Sequence, residues 1–162
     1  MTDFEGLLRT LTTAQVDFIL VGGVAATAHG SALLTQDLDV VYSRQSTNLD
    51  RLAKALSPQS PYLRDAPPDL PFKLDRKTLE SGLNFTLTTD LGDLDLLGEI
   101  TGGGGYDQLL PHTLALEVFG MTVRCLALDW LIRVKRAAGR PKDLVAVAEL
   151  EALLEEQSKI DQ

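Results

Sequence analysis

The chain is poor in several things at once, and each shortage narrows what it can be. It has one cysteine in 162 residues, Cys125, so no internal disulfide can form. Placed between Arg124 and Leu126 in an apolar stretch, that thiol reads as a buried filler rather than a nucleophile. No apolar run reaches the roughly 18 residues a membrane span requires, and the start Met1-Thr2-Asp3-Phe4-Glu5 lacks the basic residues of a signal peptide. A cytoplasmic location with no membrane partner is expected. There is no surplus of positive charge either: the net charge is −8, which argues against holding nucleic acid by bulk electrostatics. The chain has no internal repeat, and the four glycines at 102–105 lack the spacing of a dinucleotide motif. They read instead as a mobile turn before a short helix at Tyr106 to Leu110. With 44% hydrophobic and 23% charged residues, the length suits one domain over 1–162: a core to about 125, then a helical part over about 126–158.

What the chain does have is concentrated in two places. The first is Val21-Gly22-Gly23-Val24-Ala25-Ala26, which joins an apolar strand (Phe18 to Val21) to a glycine turn opening a helix, followed by Thr35-Gln36-Asp37-Leu38-Asp39-Val40. Side chains at i and i+2 of a strand share a face, about 6 to 7 Å apart. Asp37 and Asp39 therefore project together while Leu38 and Val40 point into a core. Two ionised carboxylates side by side over an apolar sheet call for a cation. Hard oxygen ligands with room for water and phosphate favour Mg2+ or Mn2+, and a pair of such ions activates an attacking oxygen and stabilises a leaving pyrophosphate. Gly22 and Gly23, lacking Cβ, let phosphate oxygens approach the backbone at a helix start, with Thr35 nearby. Separately, paired glycines or an Asp-x-Asp are ordinary turn elements; in this order, between strands, they outline a nucleotidyl-transfer site.

The second place is Thr88-Thr89-Asp90-Leu91-Gly92-Asp93-Leu94-Asp95-Leu96-Leu97. It reads as a hairpin after the apolar run at Leu83 to Leu87, with Asp93 and Asp95 on one face and Leu94 and Leu96 on the other. Asp95, deeper in its strand, is the third site carboxylate, suited to deprotonating an acceptor hydroxyl or holding it on a metal. Asp90 reads as a hairpin residue, and Asp93 as a supporting group beside the site.

A local basic run interrupts the acidic composition: Arg133, Lys135, Arg136, Arg140 and Lys142, with Asp143 the acid that follows. In a helix over 127–138, Ala127, Trp130, Leu131, Val134 and Ala138 form the buried stripe, with Lys135 at its edge. Lys135 and Arg140 are assigned to the nucleotide, Arg140 and Lys142 also to guiding an anionic acceptor. The alternative is a solvated basic face at a helix end before Gly139. Asp143 caps the next helix. Elsewhere the spacing predicts helices over Asp3 to Ala14 and Leu49 to Leu56, and strands at Thr113 to Phe119 and Met121 to Leu126 joined at Gly120. Gly30 reads as a helix C-cap, which makes His29 an end-of-helix residue. Ser57 to Pro71, with five of the seven prolines, reads as an irregular loop edging the cleft.

These stretches resemble the nucleotidyltransferase superfamily: a glycine pair on a helix start, an Asp-x-Asp strand and a later single Asp on a neighbouring strand. Together with His29-Gly30 and Lys135 to Leu144, they are similar to the small bacterial nucleotidyltransferase-like proteins related to AbiEii-type toxins of toxin–antitoxin systems. The resemblance implies an α+β fold with a mixed sheet flanked by helices and C-terminal helices, Mg2+ or Mn2+ as cofactor, and transfer of an NMP from an NTP to an acceptor hydroxyl. It favours an RNA acceptor such as a tRNA 3′ end, alongside a protein acceptor and a cognate antitoxin as partner. It also implies that Asp143 orients Lys135 or Arg140. One departure stands out: members usually carry an Arg two residues before Thr35, where this chain has Leu33. Leucine makes no bidentate phosphate contact, so a degenerate nucleotide-binding or regulatory module stands as the alternative. A metal-dependent phosphohydrolase is a third reading.

Overall fold

The computed structural model describes residues 1–160. Asp3 accepts a hydrogen bond from the Gly6 backbone N–H and opens helix α1 (Phe4–Thr13), which buries Leu7, Leu8 and Leu11. The apolar tetrad Phe18–Val21 is strand β1, and the chain turns at Gly22 into helix α2 (Gly22–Ala28). Strand β2 (Asp37–Tyr42) and helix α3 (Ser46–Leu56) follow. Beyond a 3-10 turn at Ser57–Gln59 come strand β3 (Tyr62–Leu63), helix α4 (Arg76–Ser81), and the β4 (Phe85–Thr89) and β5 (Gly92–Leu97) hairpin. A two-stranded ladder of β6 (Glu99–Ile100) and β7 (Gly104–Gly105) leads to α5 (Tyr106–Leu109) and a 3-10 turn at Leu110–His112. Strands β8 (Thr113–Val118) and β9 (Met121–Leu126) and helices α6 (Leu128–Ala138) and α7 (Pro141–Ile160) complete the order.

Seven strands form one mixed sheet in the order β3-β4-β5-β2-β1-β9-β8. The pairs β2/β5 and β1/β9 are parallel; β1/β2, β4/β5, β3/β4 and β8/β9 are antiparallel. This is the expected α+β arrangement, a mixed sheet flanked by helices and followed by two C-terminal helices. The expected alternation is present: Leu38, Val40, Leu94 and Leu96 are fully buried while Asp37, Asp39, Asp93 and Asp95 face the other way. Because β1 ends where β2 and β5 begin, Gly22 and the four aspartates lie at one end of the sheet. The N-terminal segment pins that end. The Thr2 hydroxyl donates to Gln36 O at 2.6 Å and accepts from the Asp93 N–H at 3.1 Å. Gly92 (φ +119) is needed there, since a Cβ would lie 2.5 Å from Thr2 Cα.

Three local expectations change. The buried stripe of α6 is Leu128, Leu131 and Ile132; Trp130 and Val134 are half-buried and Ala138 is exposed. The buried stripe is thus rotated from the predicted one, and Trp130 instead stacks on His112 with ring centroids 3.8 Å apart. The proline-rich segment is not wholly irregular, since Tyr62 and Leu63 add an edge strand paired with Thr88 and Leu87. The glycine run is more than a turn, as Gly104 and Gly105 pair with Ile100 and Glu99. Cys125 is fully buried, and burial pushes its thiol up to about 12. Among the described residues no helix is long and apolar enough to cross a membrane.

Candidate active site

The parallel register of β2 and β5 sets Asp37 beside Asp93 and Asp39 beside Asp95. One carboxylate oxygen from each of Asp37, Asp39 and Asp95 lies within 4.8 Å of the others. Asp39 is the innermost, and its Oδ1 is buried with no hydrogen-bond partner. Burial first, then its hydrogen bond with Asp95 and repulsion from Asp95 and Asp37, push its carboxyl up to about 8; Lys135 opposes the shift. Without a metal, burial and the neighbouring carboxylates therefore favour the protonated form of Asp39. A buried orphan oxygen beside two converging carboxylates is a hard-oxygen donor set, and the residues present fit a divalent cation such as Mg2+ or Mn2+. Asp93 stands outside this trio and accepts from the Thr88 hydroxyl at 2.9 Å.

The glycines work first on their neighbours. Gly22 has φ +69, and a Cβ there would fall 2.2 Å from Asp39 Oδ2. A Cβ on Gly23 would fall 2.5 Å from Thr35 Cβ. The pair thus makes room for the Asp39 carboxylate and the Thr35 side chain, whose hydroxyl donates to Asp37 O at 3.3 Å. His29 sits at the end of α2, its Nε2 2.9 Å from Leu126 O.

Opposite the carboxylates, Asp143 organises the basic residues. Its side chain is 1% exposed and takes Arg140 Nε at 2.6 Å, Arg140 Nη2 at 3.2 Å and Lys135 Nζ at 3.5 Å. It also accepts the Arg140 backbone N–H at 3.2 Å, reaching back from the first turn of α7 to the residue before the helix. The Arg140 contact holds Asp143 below the usual carboxylate range. Arg133 and Arg136 are engaged elsewhere: Arg133 lies 4.5 Å over the Trp130 ring, and Arg136 pairs with Glu151.

Two clefts converge here. One, about 430 Å³, runs from Val21, Gly22 and Asn84 to Leu131 and Val134 of α6. The other, about 500 Å³, takes in Gly23, Leu33, Thr35, Asp37, Lys142 and Glu149. Asp39, Lys135 and Arg140 line both. Leu33, 46% exposed, lies on the wall of the second, where Lys142 supplies a cation. The structure thus gathers Asp37, Asp39, Asp95, Gly22, Gly23, Thr35, Lys135 and Arg140 around one junction, with Asp93 and Asp143 behind them.

The residue that sequence reasoning missed is Arg64, which follows β3. Its Nη2 is 2.9 Å from Asp95 Oδ1, its Nε 3.5 Å from Asp93 Oδ1 and its Nη1 3.7 Å from Asp37 Oδ2. A signal was available, since Arg64 is the one basic residue between Ser57 and Pro71, directly after the apolar pair Tyr62-Leu63.

No protein-family model matches this sequence, and no curated protein matches it significantly. Solved structures do match in fold. A candidate nucleotidyltransferase from Thermotoga maritima, TM1012, is 16% identical over 98% of this chain and 96% of its own, with a TM-score of 0.51. The lincosamide antibiotic adenylyltransferase LnuA, in its lincomycin-bound form, is 13% identical over 92% of this chain and 94% of its own, with a TM-score of 0.60. The chain therefore has a nucleotidyltransferase-like fold, with an aspartate trio on its adjacent central strands.

Proposed function

We propose that this protein is a metal-dependent nucleotidyltransferase that moves an NMP from an NTP to an acceptor hydroxyl. The observation that carries the reading is the convergence of Asp37, Asp39 and Asp95 within 4.8 Å, with the buried Asp39 Oδ1 unpartnered. A bound Mg2+ or Mn2+ would neutralise the triphosphate and activate the attacking oxygen. Asp37, Asp39 and Asp95 would hold the ion, and Asp95 would also take the proton of the acceptor hydroxyl. Lys135 and Arg140, fixed by Asp143, carry positive charge to the triphosphate from the opposite wall. Gly22, Gly23 and Thr35 shape the nucleotide side of the junction, and Lys142 extends it.

The motif resemblance supports an RNA acceptor, such as a tRNA 3′ end, or a protein hydroxyl, within an AbiEii-like toxin paired with an antitoxin. A second reading of the acceptor draws on the cleft beside α6. Its volume of about 430 Å³ and apolar wall match a small hydroxyl compound rather than a macromolecule, and LnuA, similar in fold, is a lincosamide antibiotic adenylyltransferase with lincomycin bound. Incubation of the protein with each of four α-32P-labelled NTPs, Mg2+ or Mn2+, total bacterial RNA, lysate and a small-molecule extract tests all of these. Label on a discrete product, lost in the Asp37→Asn/Asp39→Asn variant, establishes transfer and names the acceptor class. Nucleotide binding without any labelled product favours the degenerate module that Leu33 would explain. Release of phosphate or NMP without an acceptor favours hydrolysis.

A further inference from the structure

We propose that Arg64 is the resident cation of the metal-free carboxylate cluster, and that a divalent ion binds by displacing it. The inference rests on reading Asp37, Asp39 and Asp95 as the metal site. The guanidinium lies across Asp95, Asp93 and Asp37 at 2.9, 3.5 and 3.7 Å, and two of those three belong to the trio. It is 19% exposed on its side chain, so its charge is only partly screened by water. A guanidinium that close to Asp95 and Asp37 offsets their charge as a bound metal would.

The two cations compete for the same carboxylates. Mg2+ holds carboxylate oxygens at about 2.0 to 2.1 Å in a near-octahedral shell, and a guanidinium left 2.9 Å from Asp95 Oδ1 would meet the ion at repulsive range. Arg64 is also incompletely satisfied. Its Nη2 donates to Asp95 and, at 2.7 Å, to Leu87 O, while its buried Nε has no hydrogen-bond partner. A donor buried without a bond carries a desolvation cost that release to water recovers. The backbone need not move for this, because the Arg64 N–H stays bonded to Thr86 O at 2.9 Å, extending the β3/β4 pairing. Among the described residues Arg64 forms ion pairs with Asp37, Asp93 and Asp95 but none with Asp39, whose orphan oxygen remains for the ion.

Titration of the full chain with Mn2+ alone, by calorimetry and by the electron paramagnetic resonance of free Mn2+, tests the idea on wild type, Arg64→Ala and Arg64→Lys. The expected result is Mn2+ binding about tenfold or more tighter in Arg64→Ala, with Arg64→Lys between. Equal or weaker Mn2+ binding by folded Arg64→Ala overturns the proposal and leaves Arg64 as a group that merely holds the carboxylates in place. A second readout needs no variant: the Arg64 15Nε resonance should shift on adding Mg2+ to wild type, and an unmoved resonance also overturns the proposal. Absence of Mn2+ binding in all three proteins would remove the metal reading itself, a failure distinct from equal binding.

Discussion

Asp39 concentrates the site's electrostatics in one side chain. Its carboxyl is raised to about 8 in the folded protein by burial, by its hydrogen bond with Asp95 and by its acidic neighbours, against about 3.9 in an unfolded chain. The folded state therefore holds the proton more tightly than the unfolded state, and the stability linked to it is present below pH 4 and lost as pH rises towards 8. Thermal denaturation in EDTA should show Asp39→Asn more stable than wild type at pH 8, by about 1 kcal/mol or more, with the gap closing towards pH 5. Marked destabilisation of Asp39→Asn at pH 8 would show a structural role instead. Because the ligand must be deprotonated, Mn2+ affinity of wild type should rise over the same range. Gly22 is the matching constraint on the backbone. At φ +69, with a Cβ falling 2.2 Å from Asp39 Oδ2, Gly22→Ala should cost about 1 to 3 kcal/mol of stability and weaken Mn2+ binding, both measurable in one thermal-shift series.

At the scale of elements, the α6–α7 corner and the α3–sheet contact make a useful contrast. Gly139 ends α6 in the left-handed conformation (φ +68), Pro141 starts α7, and Asp143 is buried between them with Arg140 and Lys135. Removing that carboxylate leaves two cations without their partner. Asp143→Ala should lose about 1 to 2 kcal/mol of stability, the loss of its hydrogen bonds to cations that water can still solvate, and bind a non-hydrolysable NTP with Mg2+ at least about tenfold more weakly. Retained nucleotide affinity would remove Lys135 and Arg140 from the nucleotide site. In α3, buried Asn48 accepts from the Asp17 N–H at 2.7 Å and donates to Asp17 O at 3.1 Å and Ser43 O at 2.8 Å, tying the helix to the start of β1 and the end of β2. Asn48→Ala should cost about 2 to 3 kcal/mol in urea denaturation, yet leave Mn2+ affinity per folded molecule unchanged, because it lies at the far end of the strands from Asp37.

Over the whole molecule, one end of the central strands gathers the chemistry. The N-terminal ends of β2 and β5, the C-terminal end of β1 and the α6–α7 corner meet where two clefts join. Charge is segregated accordingly: the chain carries −8 overall, while Lys135, Arg140 and Lys142 line the second cleft facing Asp37 and Asp39. A ligand that binds only the folded state stabilises it by mass action. Saturating Mn2+ should therefore raise the melting temperature of EDTA-treated wild type by several degrees, a shift of about 2 to 3 kcal/mol at 100-fold excess over Kd. Asp37→Asn/Asp39→Asn should show no such rise, and an equal rise would place the metal elsewhere.

The sequence by itself determined what local periodicity can carry. Alternation in 37–42 and 92–97 set which side of each strand is acidic and which apolar, because a strand's period of two is a property of the backbone. Helix α1, the end of α3 and the β8/β9 turn at Gly120 were legible from the same local patterning, as were the buried Cys125 and the terminal position of His29, whereas α4 (Arg76–Ser81) and the first turn of α3 were not. Tertiary structure alone decided which of those faces meet. That Asp95 is the third carboxylate was legible from its depth in the strand, but that it stands beside Asp39 depends on the parallel β2/β5 register. Leu128 and Ile132 rather than Trp130 and Ala138 fill the α6 interface because of how that helix is rotated against its neighbours. Arg64, 31 residues before Asp95, reaches it only because β3 adds to the edge of β4. Contacts at that separation are set by strand order and side-chain reach, which no spacing within a single segment encodes.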